Sequence, residues 1–291
     1  MRSRLLGLFL VASILLCFGS TAAAQVAARV EGVQMPAWLE RNGQRTPLLP
    51  GMELRAGDQV YTGAGSRLVV KLAEGSLVKL GENGTLRFAE INRGQDLFKA
   101  ALGVLQGAFR FTTELVAAKR KREIDIRVGQ VTTGIRGTDL WGRSRKDNEI
   151  VCLIEGEIEV GAEGEQAVKM DRPLQFYRRT EGKTQPVGFI DKKQLEDWAK
   201  ETEIEAGKGA ARRGGRWSVW LASAQDQSGA LRVYEELRAA GYPAEILPKK
   251  GADKLVYMVR IRQLPSRAEA QALAEQLRGR YGVTEPKVVM P

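Results

Sequence analysis

The chain has 291 residues, with 45 lysines and arginines against 35 acids, no histidine and two cysteines. That length suits about two domains, and 43% hydrophobic residues is enough to build cores, which excludes wholesale disorder. Without histidine there is no Ser-His-Asp or Cys-His nucleophile, no imidazole acid–base step and no histidine zinc site. No carboxylate pair stands out for glycoside hydrolysis either. A non-catalytic protein without cofactor or metal is expected.

Residues 1–24 carry Arg2 and Arg4, then an apolar run from Leu5 to Gly19, then Ala22-Ala23-Ala24. This order reads as a secretory signal peptide cleaved after Ala24. As a helix the apolar run reaches roughly 22 Å, short of a bilayer core of about 30 Å. Retention as an anchor is the alternative. No second apolar stretch of membrane length follows, so the mature chain is expected in the periplasm with no transmembrane span. A basic protein there meets anionic envelope polymers, not nucleic acid. Cys152 sits in the apolar pattern Glu149-Ile-Val-Cys-Leu-Ile154 and reads as a buried, inert thiol.

Residues 25–190 read as an all-β domain. Arg67–Leu72, Ser76–Leu80 and Thr85–Phe88 are short apolar runs separated by Ala73-Glu-Gly75 and Gly81-Glu-Asn-Gly84. That spacing predicts antiparallel hairpins in a sandwich or a short β-solenoid. The pattern returns at Glu149–Ile154 and Glu157-Ile-Glu-Val160, with Ile158 and Val160 on one face and Glu157 and Glu159 on the other. Lys119-Arg-Lys-Arg122 reads as a solvated basic loop.

Between these runs lies Val131-Thr-Thr-Gly-Ile-Arg-Gly-Thr-Asp139, followed by Ile154-Glu-Gly-Glu-Ile-Glu-Val160 and preceded by Pro50-Gly-Met-Glu-Leu-Arg-Ala-Gly-Asp58 and Val60-Tyr-Thr-Gly63. In this order the segments resemble the FecR domain over residues 30–180. The founding FecR protein relays an iron-transport signal across the inner membrane. The resemblance implies either a scaffold that binds an envelope protein or an envelope signal-sensing regulator with a membrane partner. Ile135, Arg136, Gly137, Thr138 and Asp139 are its motif residues. Arg136 and Asp139 are expected to form a structural ion pair, with Gly134 and Gly137 supplying backbone conformations that strain other residues.

Residues 191–206 predict a helix capped by Asp191, with Leu195, Trp198, Ala199 and Thr202 on one face. Residues 207–215 hold four glycines and almost nothing to bury, and read as a flexible linker. Residues 216–291 then give β-α-β-β-α-β. A strand over Arg216–Ser223 precedes a helix over Ser228–Ala240 with Leu231, Tyr234 and Leu237 inward. A strand at Ala244–Leu247, a polar turn at Lys249–Lys254 and a long strand at Leu255–Arg262 follow. Ser266-Arg-Ala-Glu269 has capping-box form and opens a helix through Leu277, and Lys287–Met290 closes the sheet. The order is that of a ferredoxin-like α+β domain.

Alternation along these strands places Leu255, Tyr257, Val259, Ile261, Val219 and Leu221 in the core. Val256, Met258, Arg260, Arg262, Ser218, Trp220 and Ala222 are left outward. A tryptophan beside arginines on an open sheet face suggests a recognition surface, unless the preceding helix or the β domain covers it. An RNA-recognition platform shares this topology, but secretion and the absence of an aromatic-rich third strand oppose it. Trp217–Ala224, Leu237-Arg-Ala-Ala-Gly-Tyr-Pro-Ala244, Tyr257–Leu264 and Ser266-Arg-Ala-Glu-Ala270 together resemble the SPOR domain. SPOR domains bind peptidoglycan glycan strands lacking stem peptides, often at division sites. The resemblance implies a glycan site at Trp220, Ser223, Met258, Arg260 and Arg262. Trp220 stands where the family usually has glutamine and Met258 where it usually has arginine.

Overall fold

The computed structural model describes residues 26–94, 96–113, 121–251 and 254–290. The signal-peptide reading of residues 1–24, and Lys119 and Arg120 of the basic run, fall outside the described residues. Among the described residues no helix is long and apolar enough to cross a membrane.

Seventeen strands between Ala28 and Arg212 join in one hydrogen-bonded network, and four more form a separate sheet at the carboxy-terminal end. The short runs fold as Arg67–Leu72, Leu77–Leu80 and Thr85–Arg93. Their alternate residues Leu68, Val70, Val78, Leu80, Leu86 and Phe88 are fully buried, each worth roughly 1.5–3 kcal/mol of transfer from water. Three long strands, Leu97–Thr112, Val131–Arg145 and Asn148–Ala162, pair side by side and antiparallel. Hairpins are not the whole pattern, because Leu97–Thr112 also pairs in parallel with Lys121–Val128.

Helix α1 (Lys192–Lys200) starts where its sequence says, with the Asp191 carboxylate accepting the Gln194 amide at 2.7 Å. Its one buried residue, Trp198, stacks on Trp141 with centroids 4.5 Å apart, and Phe176 meets Trp198 edge-on. Cys152, fully buried beside this stack, has its thiol pushed up to about 12 by burial. The helix stops at Lys200, short of the expected residue 206, because the following acids leave it for basic partners on the sheet. Glu201 pairs with Arg143 at 2.8 Å, and Glu203 reaches both Lys79 and Arg110. The Glu205 amide donates to Gln34 Oε1.

Residues 207–215 are not the free linker that their composition suggests. Ala210–Arg212 form a strand antiparallel to Ala28–Gln34, with Gln34 opposite Ala210 and Gly32 opposite Arg212. Ala210 and Ala211 are buried. The amides of Gly207, Gly209 and Ala210 all donate to the Glu269 carboxylate, at 2.7, 2.8 and 3.0 Å. Gly209 adopts φ +75, and a Cβ there would sit 3.0 Å from the Leu273 Cα, so the glycine lets this backbone lie against the last helix. Small residues that bury little apolar area are what allow the close approach.

The carboxy-terminal elements are Trp217–Ala224, helix α2 (Gln227–Ala239), Glu245–Lys250, Leu255–Leu264, helix α3 (Arg267–Leu277) and Lys287–Val289. The third strand, Leu255–Leu264, pairs antiparallel with the first and second strands, and the first also pairs with the fourth. Val219, Leu221, Val259 and Ile261 pack in one buried cluster with Ala230, Leu237, Leu273 and Leu277. Leu231 and Leu255, expected in the core, are 40% and 51% exposed. The buried stripe of α2 is instead Ala230, Val233 and Leu237, and Leu255 lies at the strand's outer end. Ser266 caps α3 by accepting the Glu269 amide, but the return half of the capping box is not made, since the Glu269 carboxylate serves residues 207–210. Besides the Ala210–Arg212 segment, the β domain meets this unit at the end of α2, where Trp38 Nε1 donates to the Ala239 carbonyl and the Ala37 amide to the Gly241 carbonyl.

Two outcomes follow from this packing. Glu269→Ala leaves three amides without their acceptor and is expected to cost about 2–3 kcal/mol in urea unfolding, with new tryptic cleavage at Arg212 or Arg213. Equal cleavage of the parent protein would contradict the bound segment. Cys152 is expected to stay unreactive toward a thiol reagent at pH 8 until denaturant is added, which a colorimetric titration checks.

Candidate functional site

The outward face of the carboxy-terminal sheet is assembled by strand register. Trp220 lies opposite Arg260; on its other side Trp220 pairs with Lys287, and Arg260 pairs with Glu245 on the opposite edge. Lys287, Trp220, Arg260 and Glu245 therefore form one row across all four strands. A bulge at Leu221 resets the alternation behind this row. Ala222, expected outward, pairs with Val259 and packs on the core, whereas Ser223 pairs with Met258 and is exposed. Leu247 flanks Met258 on the other side. Trp220, Ser223, Met258, Arg260 and Arg262 thus share one face.

Three charged members of this face were not singled out in the sequence. Glu245 Oε1 accepts from Arg260 Nε at 2.6 Å, and its Oε2 lies 3.3 Å from Arg262 Nε. One carboxylate thereby orients both guanidiniums, although the partial exposure of all three side chains keeps the stabilisation small. Lys249 Nζ sits 4.7 Å from the centre of the Trp220 ring, a cation–π contact. Lys249 belongs to the strand Glu245–Lys250 and not to the expected polar turn. The signal for it was available, since positions 245, 247 and 249 share a face once the strand runs to Lys250. The preceding helix does not cover the face, because α1 is committed to Trp141. The arrangement offers a flat indole and a thioether for an apolar ring face, with charge-bearing donors around them.

The motif in the β domain sits at a crossing of backbones. Gly137 has φ +65, a conformation glycine adopts without strain, and a Cβ on Gly156 at φ +93 would fall 2.6 Å from the Gly137 carbonyl, so position 156 must be glycine. Gly134, expected to share this role, has no positive φ; Gly156 takes its place. Ile135 is buried, and Thr138 Oγ1 donates to the Glu157 carbonyl. The partner of Asp139 is Arg110, through Nε at 3.0 Å and Nη2 at 2.7 Å, and that bond raises the Arg110 pKa. Arg136 pairs through its backbone with Glu157, and its side chain lies outside the described part. Ile135 and Gly137 also border an open cavity of about 1030 Å³ whose wall mixes Lys121 and Arg122 with Glu123, Asp125, Glu157 and Glu159.

Comparison with known families accounts for both regions. The FecR protein family matches residues 58–159, and the SPOR domain family matches residues 214–286. The chain joins a FecR domain to a SPOR domain. Two crystal structures of a candidate anti-sigma factor from Parabacteroides distasonis ATCC 8503, at 2.50 and 1.65 Å, align with a TM-score of 0.40 each. Their identities are 16% and 14%, over 75% and 80% of this chain and 89% and 99% of theirs. No curated protein matches the chain. The row around Trp220 lies in the SPOR domain, and the Arg110–Asp139 pair lies in the FecR domain.

Asp139→Ala removes the acceptor of a bidentate, mostly buried guanidinium, and a loss of about 2–3 kcal/mol in thermal or urea unfolding is expected.

Proposed function

We propose that this is a secreted, non-catalytic cell-envelope protein that binds peptidoglycan glycan strands through its SPOR domain. The single observation that carries this reading is the half-buried row built on Trp220 and Arg260 on the outward sheet face, set in the domain family whose members bind such strands. An indole stacks on the apolar face of a pyranose ring, and guanidinium N–H groups donate to acetamido and hydroxyl oxygens. The order of elements, with the first and third strands central, supports a ferredoxin-like reading of the domain. The charged, apolar and Ala-rich stretches of residues 1–24 support export to the periplasm. The FecR domain then serves as the interaction or scaffold module for an envelope protein.

A second reading rests on the FecR match itself: a regulator that senses an envelope signal for a membrane partner. An uncleaved amino terminus and a membrane-bound partner recovered by crosslinking would favour it.

The mature protein is expected to pellet with sacculi whose stem peptides have been removed by amidase, and Trp220→Ala to weaken this about tenfold, or about 1.4 kcal/mol. Pelleting no greater than that of an unrelated basic protein would overturn the proposal.

A further inference from the structure

We propose that the SPOR face reads the free carboxylates of a peptide-stripped glycan strand and not only its sugar rings. The inference rests on the glycan-binding reading above and adds the chemical group that sets its selectivity. In intact peptidoglycan the lactyl carboxyl of each N-acetylmuramic residue is bound in an amide to the stem peptide. Cleaving that amide leaves a carboxylate on every second sugar, so the stripped strand becomes a regular polyanion while its rings are unchanged.

The face is charged to match. Among the described residues, its outward positions hold Lys249, Lys287, Arg260 and Arg262 against the carboxylate of Glu245. Glu245 is already shared by the two arginines. Among the described residues no acid lies within ion-pair distance of Lys249 or Lys287, and both of these cations neighbour Trp220. Lys287 is its register partner on the fourth strand, and Lys249 rests over its ring. A sugar that stacks on the indole must push the Lys249 ammonium off it. A neutral strand gives that ammonium nothing in return, whereas a strand carrying a carboxylate beside the stacked ring gives it a charge-assisted hydrogen bond. The exchange of a cation–π contact for an ion pair ties sugar stacking to carboxylate recognition. Because these groups are exposed, the attraction is screened by salt.

The test uses the mature protein and three probes in calorimetric titrations: amidase-stripped glycan strands, the same strands with their carboxyls converted to primary amides, and neutral N-acetylglucosamine oligomers. Stripped strands are expected to bind about tenfold tighter than the amidated strands, with the difference shrinking as salt rises. Lys249→Gln combined with Lys287→Gln is expected to erase that difference by weakening stripped strands, while amidated strands bind somewhat tighter than to the parent protein because no cation–π contact has then to be broken. Trp220→Ala is expected to weaken both. Equal affinity for stripped and amidated strands would overturn the carboxylate inference and leave glycan binding standing. Binding of none of the three probes would overturn the glycan reading itself.

Discussion

A buried carboxylate with three backbone amides pointed at it fixes how the two halves of this protein meet. Glu269 stands in the first turn of α3, and its oxygens accept from Gly207, Gly209 and Ala210. Amides in a glycine-rich stretch have no helix or sheet of their own to satisfy them, and burying them unpaired is costly. With the carboxylate in place, the chain enters as a strand beside Ala28–Gln34 and the SPOR domain is seated on the β domain along that strand and at the end of α2. The sheet face opposite those helices is left to solvent.

That free face is stabilised without being hidden. Its apolar members, Trp220, Met258 and Leu247, are interleaved with charges that partly neutralise one another. Such pairs contribute little to folding, yet they hold the guanidiniums in fixed orientation and keep a half-buried indole from being a bare hydrophobic patch. The same organisation makes the face adjustable, because the group covering Trp220 is a single flexible lysine side chain and not a packed segment.

The FecR motif works by a different physical means. Its residues are used to let two backbones cross at Gly137 and Gly156, and to tie down Asp139 through Arg110 on the neighbouring long strand. Arg110 also meets Glu203 from the segment beyond α1. The motif, the helix and the segment leading into the SPOR domain are thus joined by the linked ion pairs Asp139–Arg110–Glu203–Lys79, a separate Arg143–Glu201 pair and a stacked pair of tryptophans.

What the sequence determined by itself was local. The alternation that buries Val219, Leu221, Val259 and Ile261, the caps at Asp191 and Ser266, and the grouping of Trp220 with Arg260 all follow from residue types at fixed spacing. The tertiary structure alone decided everything that joins residues distant along the chain. Composition made residues 207–215 look free, because glycine signals freedom until a remote carboxylate supplies the acceptors. Asp139 gave no hint that its partner would be Arg110 on another strand, and the bulge at Leu221 that turns Ser223 outward has no sequence mark of its own. Glu245 and Lys249 reached the face through pairing register, and register is set by the whole sheet and its packing, not by the strand that carries them.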